Sequence, residues 1–288
     1  MKNRTVYGVL GLLLALALVA LAVPARAEMY FEGYLGGTAA ANINQAFTIQ
    51  DLRGSGPANA SQNNHLQFSG APEAAVLGGL KLGTWFVKEG FAGYSGYPDW
   101  MKYFGFYTDL SFQSLELRAS LNGTNTFKYT ATVDPGFVGL NSGQFLGDGT
   151  IVTWAFMFAA RYGFFPDAAV PFGRLQPYVA VGPAIMFSSL EAKCSTTWAP
   201  PIGGGASNIS GATQGSVNIA LEAETGIRYM CTKNISVDLS FKYRYAEPSY
   251  SYSGADVDSA AGIANPATFK LNPVYQLFSG QLGVAYHF

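Results

Sequence analysis

The chain has 288 residues, 12% of them charged and 49% hydrophobic, with 17 Lys and Arg against 18 Asp and Glu. This balance leaves no basic excess for phosphate neutralisation and excludes a nucleic-acid binder of that kind. The charged fraction is about half that of a soluble domain, and with 21 Phe, 17 Tyr and 34 Gly it suits a transmembrane β-barrel, whose apolar residues occupy every second position.

The first element is a leader. Lys2 and Arg4 precede an apolar run from Val6 to Val23, and Pro24, Ala25, Arg26 and Ala27 follow. A positive start, an apolar centre and a small-residue exit predict a secretory signal peptide, residues 1–27, cleaved after Ala27. The alternative is an uncleaved membrane helix, because the run nearly spans a bilayer. Cleavage removes Lys2, Arg4 and Arg26 and no acid, leaving 14 basic and 18 acidic residues, a net charge of about −4. No other segment has 18 continuous apolar residues, so the domain at 28–288 is expected to hold no membrane helix.

Period-2 alternation then marks eight strands in chain order. They lie at 29–37, about 74–86, 102–112, 150–162, 177–189, 216–229, 234–245 and about 274–288. The seventh is the clearest: Ile235, Val237, Leu239, Phe241, Tyr243 and Tyr245 alternate with Ser236, Asp238, Ser240, Lys242 and Arg244. Eight is even, as a single-chain bacterial barrel requires. Connections 41–70, 119–148, 191–214 and 249–272 are long and rich in Gly, Ser, Asn and Thr, and are expected to be outer loops. Those at 88–100, 163–174 and 231–233 are shorter and are expected to be periplasmic turns. Two residues resist the pattern. Pro183 inside the fifth strand predicts a bulge beside Gly182, and Trp85 shares the inward parity of Lys81 unless the strand ends there. A secreted β-sandwich is the rival fold, but its edges would need protection.

The chain stops on GQLGVAYHF, residues 280–288. An alternating strand at the very end closes a barrel against the first strand and leaves no unpaired edge in lipid. The pieces YFEGYLGG, AVLGGLKLGTWF, PYVAVGPAIMF, SFKYRY and LGVAYHF resemble the small outer-membrane β-barrel family of the OmpA, OmpW and opacity-protein type. The resemblance implies a fold, an all-β, eight-stranded, up-and-down antiparallel barrel. It also implies a Gram-negative outer membrane, with outer-membrane lipid and lipopolysaccharide as surroundings. Tyr286 and the terminal Phe288 look like the C-terminal signal that the barrel assembly machinery reads in that family. Members serve as anchors, adhesins, small hydrophobic-compound channels or lipid-modifying enzymes, so the resemblance reaches no single function.

The inward parity carries Glu32, Glu73, Lys81, Asp109, Arg161, Glu222, Glu224, Arg228, Asp238, Lys242 and Arg244. An eight-stranded lumen is just wide enough for side chains to fill it, and charges in so narrow a space must be paired. A near-balanced set predicts an ion-pair core that plugs the lumen; the other reading is a narrow polar path gated by Asp238, Lys242 and Arg244. The expected function is a structural or surface-interaction role through the outer loops, for a surface ligand that the sequence does not name. The alternative is a small, porin-like channel for apolar or small polar solutes.

No enzyme is expected. His65 has Ser61 and Asp51 nearby in a polar stretch, and His287 has no Ser near it in sequence. No spacing therefore puts a base within hydrogen-bond reach of a nucleophile. Cys194 and Cys231 fall at opposite ends of the sixth strand, too far apart for a disulfide or a shared metal. Asp256 and Asp258 suggest a weak Ca²⁺ site at most and read more simply as an exposed acidic loop. No metal and no cofactor are expected. The sequons NGT at 122–124 and NIS at 208–210 read as ordinary loop sequence.

Overall fold

The computed structural model describes residues 28–53, 60–87, 98–128, 137–198, 206–258 and 263–288. The leader at 1–27 lies outside the described residues. Thirteen strands run in chain order: β1 (Glu28–Ala40), β2 (Ile43–Arg53), β3 (Ala60–Pro72), β4 (Ala75–Trp85), β5 (Phe104–Lys128), β6 (Phe137–Arg161), β7 (Leu175–Trp198), β8 (Ala206–Gly211), β9 (Gln214–Met230), β10 (Ile235–Ala246), β11 (Tyr250–Asp258), β12 (Ile263–Leu271) and β13 (Tyr275–His287). A short 3-10 helix, Asp99–Tyr103, precedes β5.

Eight strands close the expected ring, in the order β1, β4, β5, β6, β7, β9, β10, β13 and back to β1, every pair antiparallel. The closing pair holds register from Tyr30 opposite His287 to Ala40 opposite Leu277. At its end Phe288 N donates to Met29 O at 3.0 Å. The terminal strand is thus tied along its whole length.

Among the described residues the expected outer loops are largely strand. Segment 41–70 is the hairpin β2–β3, 249–272 is β11–β12, and β8 lies within 191–214. Strands β5, β6 and β7 continue through the rest. These pieces pair into a second ring with the same cyclic order: β2, β3, β5, β6, β7, β8, β11, β12 and back to β2. The molecule is one barrel of two storeys. The 25 residues of β5 extend about 80 Å at about 3.3 Å per residue, against an apolar membrane band about 25 Å tall.

Three strand lines are unbroken and five kink between the storeys, at 41–42, 73–74, 212–213, 247–249 and 272–274. Pro72, Pro248 and Pro273 stand at three of these kinks. Proline has no N–H to give a ladder, so it collects where pairing lapses.

Four expectations are corrected or refined. Pro183 makes no bulge. The β6–β7 pairing lapses at Phe156 and Met157 and resumes in the same register, while the β7–β9 ladder runs through Pro183 unbroken. Pro183 has no N–H to give β6, and Gly182 beside it lets the strands stay close, since a Cβ there would stand 1.9 Å from Phe156 O. Trp85 does point inward, as the last residue of β4. Glu73 is not luminal. It sits in the kink between β3 and β4, outside the alternation, and its exposed carboxylate meets the exposed Arg118 at 2.8 Å. Asp256 and Asp258 fall in β11, and the two sequons fall in or at β5 and β8, so all are strand rather than loop.

The two storeys have opposite polarity. On the lower one Leu35, Trp154, Phe158, Val181, Ile219, Leu239, Leu282 and Val284 are exposed, Ile219 to 81%. On the upper one the outward positions are mostly polar, among them Gln67, Ser69, Glu116, Arg118, Gln144, Lys193, Ser251 and Lys270, with Leu146 an apolar exception. Its inward positions form an apolar core of Leu66, Phe68, Leu115, Leu117, Leu121, Phe145, Leu190, Tyr252, Phe269 and Leu271. Phe68 meets Phe145 edge-on at 5.1 Å, and Tyr252 stacks on Phe269 at 4.7 Å.

Candidate functional site: the charged lumen

The lower storey places its charges by strand register. Across β1, β4 and β5, Glu32 is opposite Lys81 and Lys81 opposite Asp109, a row of alternating sign. Across β9 and β10, Arg228 is opposite Asp238, Glu224 opposite Lys242, and Glu222 opposite Arg244. Opposite charges in directly facing positions stabilise a ladder. The third wall makes room for them. The inward residues of β6 and β7 include Ala155, Ala159, Ala180 and Ala184, all buried.

The charged walls then bond across the lumen. Lys242 Nζ pairs with Asp109, which also accepts a hydrogen bond from Tyr34 at 2.6 Å. Lys81 Nζ lies 2.6 Å from Glu224 and 3.1 Å from Glu32. Arg228 reaches Glu32 at 2.5 Å and Asp238 at 3.3 Å. Arg244 holds Glu222 at 2.5 Å and donates to Ser111 at 2.9 Å, while Lys242 also sits 3.4 Å from Glu224. The Tyr178 hydroxyl lies between Glu224 at 2.6 Å and Asp238 at 2.8 Å.

Glu32, Lys81, Asp109, Glu222, Glu224, Arg228, Asp238, Lys242 and Arg244 thus form one connected, buried network. Aromatic faces line it, with Lys81 and Lys242 about 5 Å from the Tyr34 ring and Arg228 4.2 Å from Tyr30. Arg161 is inward and buried but stands apart, at the lower mouth. Its guanidinium makes two bonds to Glu28, at 2.6 and 2.5 Å, and lies 4.1 Å from both the Trp85 and Phe172 rings. Sequence reasoning missed Glu28, Tyr34, Tyr178 and Phe172. Glu28 opens the first strand, and no periodic signal precedes it.

Ser236 Oγ and His287 Nε2 are 2.8 Å apart. Neighbouring strands β10 and β13 bring them together, which a search for serines near His287 in sequence could not find. Both are buried. His65 lies in β3. Cys194 and Cys231 are free thiols, one buried in the upper storey and one exposed at the lower turn. Tyr286 faces outward, its ring 5.2 Å from that of Phe288. Among the described residues no three His, Cys, Asp or Glu are grouped to hold a metal ion.

Among the described residues no helix is long and apolar enough to cross a membrane. Strands make the crossing here. A closed, even-stranded antiparallel barrel with an apolar outer belt and charges inside is a transmembrane β-barrel of the bacterial outer-membrane type. The chain belongs to that class by its own geometry, and the outer membrane is its location.

No family model matches the sequence, and no curated protein matches it. Among solved structures it is similar to Neisserial surface protein A, with 11% identity over 90% of this chain and 97% of that one, TM-score 0.35. It is similar also to outer membrane protein OprG from Pseudomonas aeruginosa, with 12% identity, 91% and 97% covered, TM-score 0.37. The outer membrane protease OmpT from Escherichia coli has 10% identity, 91% and 97% covered, TM-score 0.30. Likenesses at this level carry no functional argument, so function rests on the residues of this chain.

Proposed function

We propose that this is an integral outer-membrane protein whose lumen is closed by its own ion pairs and which acts as a structural or surface-interaction protein through its upper storey. The observation that carries the reading is the set of wall-to-wall pairs Lys242–Asp109, Lys81–Glu224 and Arg228–Glu32. An eight-stranded lumen has room for side chains and little else, and buried charges persist only when paired. The apolar core above them supports the same reading, because ions do not cross a packed hydrocarbon layer. In this reading the lower end faces the periplasm and the upper storey stands outside, where a surface ligand would meet its polar exterior. The surroundings are outer-membrane lipid and lipopolysaccharide. Tyr286 and Phe288 are the residues the assembly machinery would read, and the protein catalyses no reaction.

The test is single-channel conductance of residues 28–288 refolded into a planar bilayer. Silence is expected from the wild type, with insertion shown independently. Discrete wild-type openings that change in Arg244→Ala would replace this reading with a small channel whose path runs along the charged residues.

A further inference from the structure

The lower mouth carries a feature that strand connection does not require. Turns at this end of such barrels are short, and β9 joins β10 through 231–234 alone. The link 162–174 between β6 and β7 is long and braced throughout. Asp167 accepts from Ala169 N and Val170 N at 2.9 and 2.7 Å and pairs with Arg174 at 2.5 Å. These bonds, the Val170 amide first and the Arg174 side chain next, hold its carboxyl below the usual range. Arg174 also donates to Met230 O and Cys231 O, each at 3.1 Å, which ties the link to the β9–β10 turn. Phe165 takes a left-handed φ of 58°, a strain that persists only where surrounding bonds impose it. Phe164 N to Leu175 O at 2.8 Å and Arg174 N to Phe165 O at 3.2 Å impose it here.

The link also leans across the mouth. Pro166, Pro171 and Phe172 share a cavity of ≈ 400 Å³ with Glu28 of β1 and Val87 beyond β4. Glu28 lies on the far side of the ring from this link, and Val87 follows β4, one strand removed from β6. Beneath it Phe172 rests on Arg161, whose side chain is 0% exposed and fixed by Glu28 and Gln176. Gln176 Nε2 in turn donates to Gly173 O at 2.9 Å. Tyr103 stacks on Tyr162 at 5.8 Å and meets Phe172 at 5.7 Å, which holds the link from the side.

The geometry points to a periplasmic lid: link 162–174 covers the lower mouth, latched by Phe172 on the Glu28-held Arg161, and closes the barrel separately from the ionic network above it. The lid rests on the membrane orientation proposed above and on the same view of a closed lumen, and it adds a second barrier. Apart from the Phe164–Leu175 bridge the link carries no strand pairing, and its contact with Arg161 is one aromatic face. An opened lid exposes the vestibule below Ala159, not the whole lumen.

The experiment is thiol accessibility in a Cys194→Ser, Cys231→Ser background, in detergent micelles, with a charged methanethiosulfonate as probe. Ala159→Cys lies two residues inside Arg161 on the same face of β6, and Ala155→Cys lies deeper, beside the network. With the native lid, Ala159→Cys should react slowly. With Phe172→Ala it should react at least ten-fold faster. Gly163→Ala should do the same while keeping Phe172, because a Cβ there would stand 1.8 Å from Phe172 O. Retained heat-modifiable migration in SDS would show that each barrel is folded. Fast labelling of Ala159→Cys under the native lid overturns the proposal, and so does slow labelling that neither variant accelerates. Ala155→Cys should stay protected throughout. Its labelling in the open-lid variants would leave the lid standing and sink the closed ionic core instead.

Discussion

The lower and upper storeys share one strand order and one hydrogen-bonding pattern, yet they are built inside out relative to each other. In β5 the outward residues Phe104 and Phe112 are apolar, and the inward Asp109, Ser111 and Gln113 are polar. Two residues on, the assignment flips: Leu115, Leu117 and Leu121 face inward, and Glu116, Arg118 and Ser120 face outward. In β7 the flip falls between the outward Phe187 and the inward Leu190. The register does not slip at either place. Period 2 makes the strand, and the surrounding solvent decides which parity is apolar. The flip therefore marks where the barrel leaves lipid for water.

The comparison is broken hardest from inside. Lys242→Ala strips the ammonium from Asp109, Glu222 and Glu224 at once. Leaving buried charges unpaired costs about 3–5 kcal/mol, read as a lowered urea midpoint of refolded protein. Phe145→Ala in the upper core is expected to cost a similar amount, about 3–5 kcal/mol, through a cavity instead. The causes separate by rescue. Adding Asp109→Asn should recover part of the loss in the first variant and none in the second. Equal rescue in both would mean that the storeys do not differ in what holds them.

The outward faces give the next largest effect. Leu239→Arg puts a guanidinium on the lipid face and should cost about 2–4 kcal/mol near the bilayer midplane. Ser120→Arg on the upper wall should stay within about 0.5 kcal/mol, as exposed substitutions do. A tolerated arginine at 239 would move the membrane band away from the lower storey.

The same inversion explains what the sequence disclosed and what it withheld. The lower strands were legible because large apolar residues alternate with Asp, Lys and Arg, as in LSFKYRY. The upper strands alternate too: Leu66 and Phe68 with Gln67 and Ser69, and Tyr250 and Tyr252 with Ser251 and Ser253. Their outward residues are the Ser, Asn, Gln and Gly that also make loops, so composition masked the period. Parity puts all eleven charges on one face, and ten of them are buried inside the barrel. It failed at Glu73, where a kink suspends the alternation. Contacts made by barrel closure, such as Ser236 with His287 or Arg161 with Glu28, join residues whose distance is set by topology and not by spacing.

The smallest effect asks whether the two storeys stand or fall together. Cys194 is buried opposite Phe145 in the upper storey, and burial pushes its thiol up to about 12. Cys231 is exposed at the lower turn. Because the thiolate is the reactive form, maleimide at pH 8 should modify Cys231 promptly and Cys194 only after unfolding. Phe145→Ala should speed labelling of Cys194 by opening the core beside it. Lys242→Ala tests the coupling. If its ionic defect stays in the lower storey, Cys194 remains protected at urea concentrations where the lower network has failed, and the upper ring is a cooperative unit of its own. If protection is lost at the same midpoint, the continuous strands β5, β6 and β7 transmit the failure. The inversion of polarity is then a boundary in solvent and not in folding.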